Sequence, residues 1–173
     1  MQKSRSLLAL FGFGAAVAGA GFFASRYSPR DLRTNLWFRR LEKPSYNPPD
    51  SVFPVVWTAL YSLIAISGWR TWQAEGSSER TAALRLWVKQ LLANAEWTRL
   101  FFGEHRPKRA LADVVLLESL IIRYIKAAKE VDQIAAATFV PYAAWVAFAT
   151  LLNAEIVRLN PDAETKFPRP RAA

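Results

Sequence analysis

The sequence contains no cysteine and one histidine. The first absence excludes disulfides, thiolate metal sites and cysteine nucleophiles. The single histidine, His105, stands in the basic stretch Glu104-His-Arg-Pro-Lys-Arg109 and reads as a solvated loop residue. No paired metal-ligand spacing, phosphate-cradling glycine loop or nucleophile elbow occurs. Nothing therefore calls for a resident metal or cofactor. No internal repeat and no transit segment rich in Arg and Ser is evident.

Long apolar runs are what the chain does have. It is 52% hydrophobic and 13% aromatic over 173 residues, yet carries a net charge of +9. The charges are gathered between runs that hold none: Ser6 to Ser25, Ser51 to Trp69 and Gln133 to Ala154. A helix needs about 20 such residues to cross a hydrocarbon core about 30 Å thick. Soluble helices rarely run so far without a polar face. Two further segments are long enough but carry charge: Leu86 to Phe102 with Lys89, Glu96 and Arg99, and Ala110 to Tyr124 with Asp113, Glu118 and Arg123. Such charges normally face a bundle interior, a wet cavity or an opposite charge. Glu96 and Arg99, three apart, can meet on one helix face, and Lys89 could pair with Glu118 between helices. The expectation is an all-α membrane protein: one five-helix transmembrane domain over residues 1–160, with spans near 6–25, 51–72, 83–103, 110–128 and 133–157. Residues 161–173 are expected to form a disordered tail.

The N-terminus could also be a signal peptide, but its apolar run exceeds the usual 7–15 residues. Gly14 with Ala18, and Ala15 with Gly19, have the small-residue spacing that lets membrane helices approach, so a retained first helix is expected. Trp69, Trp72 and Trp87 fall near span ends and read as interfacial anchors. The first and third connections and the tail hold Arg26, Arg30, Arg33, Arg39, Arg40, Lys43, Arg106, Lys108, Arg109, Arg158, Lys166, Arg169 and Arg171. The other side holds Lys3, Arg5, Arg70, Arg80, Arg85, Lys126 and Lys129. This bias puts the C-terminus in the cytoplasm, and it assigns the basic charge to topology and not to nucleic acid. The connection from Arg26 to Asp50 is long enough to be a functional lid. Its Pro44, Pro48 and Pro49 discourage helix, while Trp37, Phe38 and Tyr46 give it something to pack with.

The motifs are specific. Trp37-Phe-Arg-Arg-Leu-Glu-Lys-Pro-Ser-Tyr-Asn-Pro-Pro49 precedes Val52-Phe-Pro-Val-Val-Trp-Thr-Ala-Leu-Tyr61. Later come Gln90-Leu-Leu-Ala-Asn-Ala-Glu-Trp-Thr-Arg-Leu-Phe-Phe-Gly103, Ala110-Leu-Ala-Asp113, and Val140-Pro-Tyr-Ala-Ala-Trp-Val-Ala-Phe-Ala-Thr-Leu-Leu-Asn153. In order, over about residues 7–160, these resemble the TspO/MBR family of translocator proteins, also called tryptophan-rich sensory proteins or peripheral benzodiazepine receptors. The resemblance implies a five-helix bundle, often a homodimer, with a pocket closed by the first long loop. It implies porphyrin as ligand, in some members sterols or synthetic aromatic drugs, and in bacterial members a part in tetrapyrrole regulation. Light-dependent protoporphyrin breakdown and transport are further activities linked with the family. With no transit segment, the bacterial cytoplasmic membrane is the expected location.

Helical periodicity gives an independent reading. At about 100° per residue, Gln90, Asn94, Trp97 and Phe101 share one face of the third span. Tyr142, Trp145, Ala149 and Asn153 share one face of the fifth, and Phe53, Trp57 and Tyr61 a broader face of the second. Such stripes are either helix packing or the lining of a flat aromatic cavity suited to a macrocycle with few polar edges. The resemblance favours the cavity, and adds Tyr46 of the connection to its lining. It also matches Trp57 and Trp145 to two tryptophans implicated in porphyrin chemistry, which would make them catalytic if the protein is an enzyme. Asn153 reads as a structural hydrogen-bonding group, and Asp113 as a tie for the fourth helix. Four positions depart from the family pattern: Ser51 for Trp, Arg99 for Pro, Glu118 for an aromatic and Ala154 for the sterol-associated Tyr. The stretch Leu120-Ile-Ile-Arg-Tyr124-Ile-Lys126 fits a loose sterol pattern, but Ala154 argues against tight sterol binding.

Overall fold

The computed structural model describes residues 2–27 and 32–166, and among them it is helical with no strand. The elements are α1 (Gln2–Ser25), α2 (Leu32–Arg40), α3 (Val52–Gln73), α4 (Ser78–Thr98), a π-helical turn (Arg99–Gly103), α5 (Pro107–Lys129), α6 (Gln133–Leu159) and α7 (Ala163–Lys166). The expected segments fall on the long helices α1, α3, α4, α5 and α6, the one at 83–103 running on from α4 through the π-helical turn. These form a closed ring in the order α1, α3, α6, α5, α4, with α3 and α4 also meeting across it. Three segments are long and apolar enough to cross a membrane: Ser4–Ser25, Val52–Gln73 and Gln133–Leu159.

Local signals place the helix ends. Ser77 accepts the Arg80 N–H at 3.0 Å and Glu79 occupies the first turn of α4, both favourable at a helix start. Pro107 opens α5, where its missing N–H costs nothing. Asp132 caps α6 by accepting the Ala135 N–H at 2.8 Å, and the same carboxylate holds Arg70 of α3 at 2.9 Å. Burial pushes the Asp132 carboxyl up, but the Ala135 N–H and the Arg70 guanidinium outweigh it and leave it below the ordinary value.

The polarity of the molecule is inverted relative to a water-soluble bundle. Large apolar side chains cover its outside, among them Phe11, Leu8 and Val55, each more than 70% exposed. Ser67, Thr71, Gln90, Asn94 and Asn153 are buried within. This is the arrangement a hydrocarbon solvent selects. The chain is an integral membrane protein.

Three readings of the sequence change. Trp87 is no interfacial anchor: it is buried and its indole donates to the Ile64 carbonyl at 2.9 Å. A Cβ on Gly68 would lie 2.6 Å from the Trp87 indole nitrogen and 2.8 Å from Phe13, so only glycine allows α1, α3 and α4 to close here. Trp72 does lie at the surface, while Trp69 is half-buried and donates to the Ser6 carbonyl. His105 is not solvated. It is 7% exposed, adopts a left-handed φ of 56°, and stacks on Trp37 with ring planes 2° apart. Glu96 and Arg99 do pair, and Arg99 also holds Glu104. Lys89, by contrast, is exposed, and no Lys89–Glu118 pair is made among the described residues.

The long first connection contains a helix that was not expected, α2, ahead of its prolines. Trp37, Phe38 and Leu41 pack on Leu100, Phe101, Ala110, Leu152 and Ile156, a second core separate from that of the ring. Beyond it, the Glu42 backbone exchanges two bonds with the Asn160 side chain at 2.9 and 2.8 Å. The start of the expected tail is structured: α7 lies there, and its Ala163 is buried in the second core. Residues 167–173 lie outside the described residues.

Candidate ligand site

Most of the residues singled out above meet where α3, α4 and α6 face one another. Asn94 of α4 is the hub. Its Oδ1 accepts from the Tyr61 hydroxyl at 3.1 Å, and its Nδ2 donates to the Tyr142 hydroxyl at 3.0 Å. One amide thus ties three helices together, with all three groups on inward faces set by the 3.6-residue period. Trp57 lies against both tyrosines, 5.3 Å from the Tyr61 ring and 6.2 Å from that of Tyr142.

Along Phe53, Trp145, Phe148 and Tyr46, toward the end covered by the first connection, the contacts are between rings. Phe53 of α3 meets Trp145 of α6 edge-on at 6.0 Å, Trp145 lies 5.5 Å from Phe148, and Phe148 lies 6.4 Å from Tyr46. Tyr46 is about half exposed, while Phe53, Trp57 and Trp145 are partly buried. Aromatic pairs of this kind add about 0.5–1.5 kcal/mol beyond the area they bury, and they can re-pack without stranding a polar group. Ala149 is half-buried one turn beyond Trp145. Phe148 was missed, although its three-residue step from Trp145 on a helix was a usable signal.

The structure separates three of the expected residues from this set. Trp97 stacks on Phe101 at 5.2 Å with planes 18° apart, and Phe101 in turn packs against Trp37 and Phe38 of α2. The Trp97 indole donates to Asn153 Oδ1 at 3.1 Å, and Asn153 Nδ2 donates to the Pro107 carbonyl at 3.0 Å. Asn153 therefore serves as the structural tie expected of it. Gln90 is fully buried one turn below Asn94; its Nε2 donates to the Trp87 carbonyl while its Oε1 has no partner. An orphaned buried acceptor is costly, so a ligand N–H or a water would find a ready bond there.

The Lys43 ammonium lies 4.2 Å over the Phe38 ring. Burial lowers its pKa below the ordinary lysine value; Asp50 works against that shift and Arg39 adds to it. Tyr124 of the loose sterol pattern is fully buried and faces Ser67 and Thr71 at 2.8 and 2.9 Å, so it offers no ring to a ligand on the outer surface. No group of three or more His, Asp or Glu side chains among the described residues is placed to hold a metal.

A ring of helices, three of them long and apolar enough to cross a membrane, around a buried amide and a cluster of aromatic rings defines a helical membrane protein with an aromatic interior. The TspO/MBR family model matches residues 13–159, and the chain belongs to that family. It is 40% identical to the tryptophan-rich sensory protein of Cereibacter sphaeroides over 129 residues, which covers 75% of this chain and 80% of that one. It is 35% identical to Protein CrtK of Rhodobacter capsulatus over 159 residues, covering 91% and 95% of the two chains. The human translocator protein is 34% identical over 152 residues, with coverage of 86% and 88%.

Proposed function

We propose that this protein is a five-span membrane receptor or regulator that binds porphyrins, or related flat hydrophobic aromatic molecules, between α3, α4 and α6. The observation that carries this reading is the Asn94 hub with its aromatic surround: polar at one end, apolar and adaptable at the other, and open to re-packing. The lining is Tyr46, Phe53, Trp57, Tyr61, Asn94, Tyr142, Trp145 and Ala149, with Gln90, Trp97 and Phe101 at its margin. In this reading α2 and the proline-rich strap after it form the lid. In this reading the protein sits in a bacterial cytoplasmic membrane; charge bias supports an orientation with the C-terminus inside, and family membership supports a homodimer.

The lengths of α4 and α5, 21 and 23 residues or about 32 Å or more at 1.5 Å per residue, support the reading that they cross the membrane as well. Of the charges at the end of α4, Glu96 is accommodated: Arg99 joins it and Glu104 into an ion-pair chain near the covered end. A packed pair of this kind explains Glu96 and Arg99 without a wet transport pathway, whereas Asp113 Oδ2 and Glu118 Oε2 of α5 are buried with no hydrogen-bond partner. A degradative reading rests on Trp57 and Trp145, two half-buried indoles on facing helices that a photoexcited ligand could oxidise.

Tryptophan quenching by protoporphyrin in the dark, in detergent, tests the receptor reading. Saturable quenching that Asn94→Leu weakens supports it, and no saturable quenching in the unaltered protein rules it out. A new absorbing product on illumination, lost in Trp57→Phe with Trp145→Phe, would support the degradative reading. Identical loss of porphyrin in that double variant would end it.

A further inference from the structure

The α5 helix carries two carboxylates that the ligand site described above does not use. Asp113 and Glu118 are half-buried side chains, and each has one oxygen, Asp113 Oδ2 and Glu118 Oε2, that is fully enclosed with no hydrogen-bond partner. Neither residue makes an ion pair among the described residues. Arg99 lies within electrostatic range of Asp113. Glu118 is the middle residue of α5, about 16 Å from either end, so in the five-span reading it lies near the centre of the bilayer. A polar atom left bare at that depth is costly, and an intramembrane carboxylate marks the place of a partner.

The fully buried Tyr142 hydroxyl lies within electrostatic range of both carboxylates, which sets them beside the Asn94 hub. Gln90 adds a third acceptor: it is fully buried one turn from Asn94 on the same face of α4, and its Oε1 is again unpartnered. Helices α4 and α5 form an antiparallel hairpin. Gln90 and Glu118 stand at similar distances from its turn, within about one helical turn of the same level. The unpartnered atoms around the hub are thus all acceptors, two of them on carboxylates, and the rings of Trp57 and Tyr61 lie beside them. Acceptors and electron-rich rings both attract a positively charged nitrogen. We infer that the inner end of the site takes a flat aromatic amine, its protonated nitrogen held by Glu118 and Gln90 and its rings lying against Trp57. This rests on the reading of the aromatic cluster as a ligand site, and adds a cationic class of ligand to it.

The test compares two probes with one ring system, the aminoacridine cation and neutral acridine, titrated by fluorescence into the full chain in uncharged detergent at neutral pH. The cation is expected to bind about tenfold more tightly, the effect of one hydrogen bond to a charged group, and protoporphyrin should displace it. Glu118→Gln, which keeps the shape and removes the charge, should bring the two affinities together, while Glu118→Asp should keep the cation ahead. Equal affinities in the unaltered protein overturn the inference, as does a preference that survives Glu118→Gln. Protoporphyrin that quenches saturably without displacing the cation would put the cation elsewhere, overturning the inference and leaving the porphyrin reading in place. A preference lost in Glu118→Gln but kept in Glu118→Asp, with no saturable quenching by protoporphyrin, would remove the porphyrin reading and support this one.

Discussion

A bonded cluster at one end of the helix ring and an aromatic cluster at the other are held by different chemistry. At the end away from α2, polar groups are bonded to one another across helices: Tyr124 with Ser67 and Thr71, Ser67 to the Ala135 carbonyl at 2.7 Å, and Arg70 with Asp132. In a low-dielectric surround such bonds are costly to break, because each partner would be left dry and unpaired. At the covered end Phe53, Trp145, Phe148 and Tyr46 touch ring to ring with no hydrogen bond among them. Sliding one ring past another strands no polar atom. The first cluster is therefore suited to hold the bundle together, and the second to open for a ligand. Asn94 lies between, bonded to Tyr61 of α3 and Tyr142 of α6.

Substitutions should separate the two ends, the largest effect coming from the bonded one. Gly68→Ala forces a Cβ against Trp87 and Phe13, and should destabilise by about 1–3 kcal/mol. Denaturant titration in mixed micelles would show it; an unchanged midpoint would mean that α1, α3 and α4 are not closely packed there. Tyr124→Phe leaves two buried hydroxyls short of a partner, and should cost about 1–2 kcal/mol in the same assay without weakening protoporphyrin binding. Tyr46→Ala should do the reverse, changing stability by less than about 0.5 kcal/mol while weakening protoporphyrin quenching severalfold. The smallest effect concerns acid. The Asp132 carboxyl sits below its ordinary value, so its contribution is complete above the unfolded-state value and is lost as pH falls through the folded one. Melting curves from neutral pH into the acid range should show a drop that Asp132→Asn flattens; parallel curves would remove Asp132 from the account.

The helical frame was legible because uncharged runs and periodicity act locally. Ser51 to Trp69 and Gln133 to Ala154 could hardly be anything but long apolar helices. The stripe Gln90, Asn94, Trp97 and Phe101 was legible as one face for the same reason. Its division was not. Trp97 turns to Asn153 and Phe101 to Trp37, choices set by which helix happens to lie opposite. Lys89 and Glu118 look like a pair on paper, but ring order and rotation put Lys89 outside. His105 was misread because nothing local marks a left-handed, buried histidine; its stack with Trp37 exists only once α2 has folded back over the π-helical turn. Trp87 shows the limit of reading anchors from position along a span, since burial depends on the glycine it meets in another helix.

The account depends most on ligand binding at the covered end and not at the bonded one. Protoporphyrin titration of the unaltered protein beside Ala149→Phe and Tyr124→Phe tests this directly. The prediction is saturable binding that Ala149→Phe weakens at least tenfold and Tyr124→Phe changes by no more than twofold. Binding that is absent, or that Tyr124→Phe impairs as much as Ala149→Phe does, would contradict it.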